Sequence, residues 1–254
     1  MSKLDVDALM QNAIKHFWRT RAKQHKGQGA KSGRKDAGTR GAVTGGKHAD
    51  EFVRLIAAVC QDAGLPETHI HQTKKNARLL PGFFRPCKEW DLIVTSGTDL
   101  VAVVEVKSQV GSFGNNFNNR VEEAVGNATD FWTAYREGRY KPSQRPWLGY
   151  LFMLQDVHKS SRPTKRVTLQ HYQMDEEFQC LSYAKRYELV CLRLVRERLY
   201  DAACFCISEA DSGAKGRYLT PNEEVGIKSF CISLHARAAA FAIAKKQSLE
   251  LNMR

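Results

Sequence analysis

Glu89-Trp90-Asp91-Leu92-Ile93-Val94-Thr95-Ser96-Gly97-Thr98-Asp99-Leu100-Val101-Ala102-Val103-Val104-Glu105-Val106-Lys107 is the stretch on which the architecture turns. Two apolar, β-branched runs flank Ser96-Gly97-Thr98-Asp99, which predicts a hairpin. The first run opens on an acid and the second closes on acid-x-Lys. Residues two apart on a strand share a face, so Glu105 and Lys107 project together, about 6.6 Å apart along the strand. Asp91 reaches the same spot if the hairpin registers. Charged groups on otherwise apolar strands are costly without partners. A divalent cation would be a suitable partner for the two acids.

The rest of the composition narrows the setting. The 254 residues are 43% hydrophobic and 9% aromatic, enough to bury a sizeable core as a single domain over 1–254. A net charge of +12 favours a polyanionic partner, nucleic acid before a membrane surface. No apolar run is expected to reach the length of a spanning helix, and Met1-Ser2-Lys3-Leu4-Asp5 does not read as a signal peptide. Seven scattered cysteines suit reduced thiols in a cytoplasm.

Towards the N-terminus, Val6, Leu9, Met10, Ala13, Ile14, Phe17 and Trp18 predict an amphipathic helix over 5–24, with Asp5 and Asp7 at its positive end. Residues 24–47 are Gly-rich and cationic. They read as an arm that wraps DNA phosphates, with Lys31, Arg34 and Lys35 as contacts, and with a solvated loop as the alternative. Within it, Gly41-Ala42-Val43-Thr44-Gly45-Gly46-Lys47 matches a nucleotide-binding loop by spacing. His48 replaces the hydroxyl residue and no strand precedes, so no nucleotide cofactor is expected. The segment does lead into a helix over 48–63, whose N–H groups could hold a phosphate of any kind. Glu51 near its start reads as an exposed carboxylate, with an extra acid at a metal site as the alternative. His69-x-His71 has no matching ligand pair, so zinc is not expected.

Beyond the hairpin, Ser108 to Asn119 reads as a polar loop, followed by a helix over 119–137 on Val121, Ala124, Val125, Ala128, Phe131, Trp132 and Tyr135. Strands are expected at 147–155 and 202–208, a basic loop over 156–174, and a helix over 180–199. Thr220-Pro221-Asn222-Glu223 signals the start of a last helix running to about 246. This alternation predicts an α/β fold: a mixed central sheet flanked by helices, with additional helices at both ends and a catalytic core over 48–155.

Phosphodiester hydrolysis needs a positioned water, neutralised phosphate charge and help for the leaving oxygen. Mg²⁺ on one or two carboxylates meets much of this need, and a neighbouring lysine orients the water and stabilises negative charge. Asp91 and Glu105 are therefore expected as metal ligands, the Val106 carbonyl as a further one, and Lys107 as water activator. Glu89 is a rival to Asp91, or a partner of Lys88 or a supporting acid.

Cys87-Lys88-Glu89-Trp90-Asp91 with Val104-Glu105-Val106-Lys107-Ser108-Gln109 resembles the PD-(D/E)xK nuclease signature, with Trp90 where the proline would stand. The run from Glu105 through Gly111 and from Gly114-Asn115-Asn116-Phe117-Asn118-Asn119-Arg120 to Ala124 resembles the XhoI family of Type II restriction endonucleases. The resemblance implies a restriction-endonuclease-like (PD-(D/E)xK) fold and a cytoplasmic homodimer that cuts the double-stranded palindrome 5′-CTCGAG-3′ after the first C, leaving a four-base 5′ overhang. It also implies a cognate methyltransferase in a restriction-modification system, and the triad Asp91, Glu105 and Lys107. Gln109, Asn116, Asn119 and Arg120 are expected DNA contacts, since amides read adenine and arginine reads guanine. The competing readings are a nuclease of this fold with another specificity, or a non-catalytic DNA-binding protein.

Overall fold

The computed structural model describes residues 4–32 and 48–252. Its centre is a five-stranded mixed sheet in the order β1-β4-β5-β6-β7, with β1 Ile70–His71, β4 Leu92–Ser96, β5 Asp99–Gln109, β6 Trp147–Gln155 and β7 Ala202–Ser208. A separate two-stranded ribbon pairs β2 Leu79–Pro81 with β3 Cys87–Glu89. β4 and β5 form the expected antiparallel hairpin, tightened by Gly97 at φ 62°, while β5, β6 and β7 run parallel. The strands at 147–155 and 202–208 fall where the alternation of apolar residues places them.

Side-chain alternation sorts the sheet residues into two cores. Leu92, Val94, Ala102, Val104, Leu151, Met153 and Cys204 pack beneath α1 Val6–Ser32, α2 Asp50–Asp62 and the C-terminal helix α5 Ile227–Asn252. Ile93, Val103, Leu148, Tyr150, Phe152 and Phe205 pack beneath α3 Phe113–Arg136 and α4 Tyr183–Arg196. Each fully buried aliphatic side chain contributes about 1.5–3 kcal/mol. β5, apolar from Leu100 to Val104 and buried on both faces, anchors the whole. β7 joins this sheet from beyond the expected catalytic core over 48–155.

Several boundaries differ from expectation. α1 continues to Ser32, so residues 24–32 of the expected arm are helical; Lys31 lies on that helix, while Arg34 and Lys35 lie outside the described residues. α3 begins at Phe113 rather than 119, because Gly111 (φ 70°) and Ser112 (φ 48°) turn the chain and Phe113, 2% exposed, anchors the first turn. The expected Asn-rich loop is therefore mostly helix. α5 starts at Ile227, after a one-turn helix capped by the Asn222 side chain, which accepts from Glu224 N–H. A span-length apolar stretch does occur: Ile227–Gln247 has a mean hydropathy of 1.3. Its Phe230, Cys231, Leu234 and Ala238 pack into the core, while Ile232 and Ile243 are exposed.

Candidate active site

Asp91 stands opposite Glu105. The register pairs Leu92 with Val104, and Asp91 N–H donates to the Val104 carbonyl at 3.2 Å. The Asp91 carboxylate then bends across the strand and accepts the Val106 N–H at 2.7 Å. This bond fixes the acid beside the backbone of the acid-x-Lys strand, which is what the hairpin reading requires.

Glu105 is 1% exposed, at the centre of the sheet. That excludes a surface ion pair at a sheet edge. Burying an ionised carboxylate costs several kcal/mol unless it is compensated, and two ammonium groups compensate this one. Lys107 Nζ lies 2.5 Å from Oε1, and Lys88 Nζ lies 3.1 Å from Oε2 and donates to Oε1 at 3.2 Å. The Lys88 ammonium straddles the carboxylate, so Oε2 has charge nearby but no aligned donor. That oxygen is an acceptor with capacity left for a cation.

The electrostatics follow from this crowding. Burial and the Glu105 charge push the Asp91 carboxyl up to about 6, against the pull of Lys107, the Val106 N–H and Lys88. Burial works to lower Lys107, but Glu105 and Asp91 outweigh it and leave the ammonium raised and firmly charged. The Glu105 charge raises Asp91 despite the two lysines, and a divalent ion between the acids would relieve that repulsion. Among the described residues no three His, Cys, Asp or Glu side chains gather as a metal cluster. The available donors are therefore two carboxylates and a carbonyl. That set suits Mg²⁺, which keeps several waters and takes one or two protein carboxylates.

The acids border a cleft of about 460 Å³ lined by Asp91, Val106, Lys107, Ser108, Gln109, Asn116, Arg120, Ser112, Arg21 and His48. Three of the four expected post-strand DNA contacts, Gln109, Asn116 and Arg120, thus share the cleft with the acids. Asn119 is exposed and does not line it. Gln109 donates to the Gly111 carbonyl, and its Oε1 is buried without a partner. Arg120 pairs with Glu123 at 2.5 Å while its Nε is left unpartnered. A larger concavity of about 1060 Å³ lies at the ends of β6 and β7. Its Glu209, Lys215 and Arg217 are exposed, so nothing there is charge-strained as Glu105 is.

One expectation about acids is corrected and one keeps its plainer reading. The Glu89 carboxylate neither rivals Asp91 nor pairs with Lys88, whose ammonium reaches Glu89 only at its backbone carbonyl, at 3.2 Å: it pairs with Arg78 at 2.5 Å and faces Lys75 at 3.9 Å, on the β2–β3 ribbon. Glu51 pairs with Arg54 and does not line the cleft, in keeping with the plainer reading of it. Lys88 is the residue that sequence reasoning missed. Its position in a ribbon strand just before Trp90 carries no periodic signal. Its ammonium also packs 4.5 Å from the centre of the buried Trp90 ring, which aims it at Glu105.

Comparison with known proteins shows the family. Residues 28–220 match the family described as restriction endonuclease XhoI. The chain belongs to the XhoI restriction endonuclease family. It is 44% identical over 214 residues to the Type II restriction enzyme BstVI of Geobacillus stearothermophilus, covering 82% of this chain and 94% of that one. It is 38% identical over 192 residues to the Type II restriction enzyme XhoI of Xanthomonas vasicola, covering 75% and 76%. The Type II restriction enzyme AbrI of Azospirillum brasilense is 44% identical over 159 residues, 62% of this chain and 70% of that one. No solved structure matches. As a member of the XhoI family the chain is a Type II restriction endonuclease, a phosphodiester hydrolase acting on double-stranded DNA, and enzymes of this class generally need a divalent metal ion. The non-catalytic reading is set aside.

Proposed function

We propose that this enzyme cuts the palindrome 5′-CTCGAG-3′ after the first C on each strand, using Mg²⁺ held by Asp91, Glu105 and the Val106 carbonyl. The observation that carries the reading is Glu105, buried at the sheet centre between two lysines with Asp91 fixed across from it. Bound Mg²⁺ would supply charge neutralisation at the phosphate and a water of lowered pKa. Lys107 orients that water and places positive charge where the pentavalent phosphate becomes more negative. Asp91 must be ionised to take part, which the raised carboxyl permits above about pH 6. Gln109, Asn116 and Arg120 reach base edges from the cleft wall, and Asn119, Lys31, Arg34 and Lys35 meet DNA outside it.

A palindromic site calls for two symmetric copies of this cleft, so the working form is a homodimer. The whole chain acts as one domain in the cytoplasm, as the nuclease half of a restriction-modification system. Digestion of a sequenced plasmid with Mg²⁺, followed by sequencing of the ends, tests the specificity. Cuts within CTCGAG support it, and cuts at another recurrent sequence replace it with a different specificity on the same chemistry. Lys107→Ala abolishes cutting while leaving duplex binding largely intact; undiminished cleavage by that variant would remove Lys107 from the mechanism.

A further inference from the structure

The cleft is lined in part by α1 and the residues leading into α2, and this part contains charge that the hydrolytic triad does not use. Arg21 is 7% exposed, yet it has no carboxylate within ion-pair distance and no hydrogen bond among the described residues. Nearly every other partly buried arginine here is paired: Arg78 with Glu89, Arg120 with Glu123 and Arg85 with Asp130. His48 is also 7% exposed, and its Nδ1 is buried without a partner. Phe17, fully buried, holds both side chains. Arg21 sits one turn along α1 with its guanidinium 5.8 Å from the Phe17 ring centre, and the His48 ring meets Phe17 edge-on at 5.1 Å.

We propose that Arg21 and His48 form a seat for a backbone phosphate of the DNA strand, next to the phosphodiester that is cut. The inference rests on the nuclease reading and adds a second anchoring point to it. A guanidinium and an imidazole nitrogen that find no partner among the described residues, both on side chains more than nine-tenths buried, are costly unless a ligand compensates them. An anion is the ligand that satisfies a guanidinium, and the phosphate's planar pair of oxygens matches its fork. The chain enters α2 at this part of the cleft, so the helix's free N–H groups add a favourable field, offset in part by Asp50 and Glu51. The Asp91 carboxylate lies in the same cleft, which places the anion beside the cation site and not on it. Gln109 Oε1 is an acceptor that a phosphate leaves unsatisfied, and it belongs to base reading instead. His48 is held neutral, lowered to about 4 by burial and by Arg21 and His16, so Arg21 alone contributes charge.

The test is the salt dependence of binding, followed by fluorescence anisotropy in EDTA between about 50 and 200 mM KCl, on a CTCGAG duplex and a scrambled one. Arg21→Gln lowers the slope of log affinity against log salt by about 0.9 on both duplexes, because a phosphate contact carries no sequence. It weakens binding roughly tenfold at the lower salt. Arg21→Lys keeps the slope and weakens binding several-fold, since the charge stays and the fork is lost. His48→Gln weakens binding with the slope unchanged. A wild-type slope in a folded Arg21→Gln protein overturns the proposal. If Arg21→Gln does not fold, wild-type affinity in both Arg21→Lys and His48→Gln overturns it. Wild-type plasmid cutting reads the nuclease function separately, so failure of one does not imitate failure of the other.

Discussion

Replacing Asp91 by Asn is expected to destroy activity and stabilise the metal-free protein at the same time. Burial and Glu105 move the folded Asp91 carboxyl from an ordinary 3.8 to about 6. Keeping a carboxyl ionised after such a displacement costs the folded state about 3 kcal/mol. The sign follows from the folded value lying above the unfolded one. The penalty is absent below about pH 4, where both states are protonated, grows through pH 4–6, and is complete above about pH 6–7. Asn is uncharged and still presents an oxygen to the Val106 N–H, so the one bond that positions residue 91 survives. Asp91→Asn should therefore gain up to about 3 kcal/mol at neutral pH in EDTA, roughly 6–12 °C in midpoint for a chain of this length. At pH 4 the gain should vanish. Thermal unfolding at several pH values, with and without Mg²⁺, reads this directly. Mg²⁺ stabilises the wild type by mass action and leaves the variant unmoved. If Asp91→Asn is less stable than wild type at neutral pH in EDTA, or if its gain is independent of pH, the two acids are not in electrostatic conflict and the argument for a cation between them fails.

Three further outcomes follow from the same structure. Cation binding should release close to one proton near pH 5–6 and few at pH 8, because Asp91 is largely protonated below about 6 and ligates only when ionised; calorimetry in buffers of different ionisation heat counts them. Lys88→Met should shift the acid limb of the single-turnover cleavage profile to higher pH, since Lys88 is one of the cations that lower Asp91, and an unmoved limb would make Lys88 a packing residue only. Asp130→Ala should cost about 2–4 kcal/mol in denaturant unfolding without altering the chemical step: Asp130, 3% exposed, accepts the Phe83 and Phe84 N–H groups at 2.9 and 2.8 Å and pairs with Arg85 at 2.9 Å.

The hairpin, the long strands and the sorting of Asp91, Glu105 and Lys107 onto one spot were legible because they follow from periodicity alone. A two-residue turn leaves little freedom in register, and the one shift, between Val94 and Thr95, lies on the turn side of Leu92 and does not disturb the Asp91 end. The start of α3 was not legible. Asn and Gly score as loop formers, and the decisive factor is the burial of Phe113 against Tyr183 and the sheet, a tertiary contact that local propensity does not contain. The short strands β1, β2 and β3 were missed for a similar reason: two or three residues carry no period. Glu89 and Lys88 show the limit most plainly. Adjacent residues on the ribbon point opposite ways, so Glu89 faces Arg78 while Lys88 faces Glu105, and only the position of the ribbon beside the sheet decides which of them enters the site.

That ribbon explains why the carboxylate proposed as catalytic can sit at the centre of a buried sheet. Lys107 comes from the same strand as Glu105 and cannot by itself enclose it, since the two side chains rise side by side. Lys88 arrives from outside the sheet, its ammonium over the Trp90 ring, and approaches the carboxylate from another direction. Arg78 ties the ribbon down by donating to the Trp90 carbonyl at 2.9 Å and accepting the Trp90 N–H at the same distance, while also pairing with Glu89. The tryptophan where a proline would stand in the nuclease signature thus has a defined role here. It is the fixed surface on which the second lysine rests, and Trp90→Pro should weaken the Lys88–Glu105 contact even though residue 90 touches neither metal nor DNA. If Trp90→Pro leaves both the pH profile and the metal affinity at wild-type values, Lys88 reaches Glu105 without its platform and this account of the site is wrong.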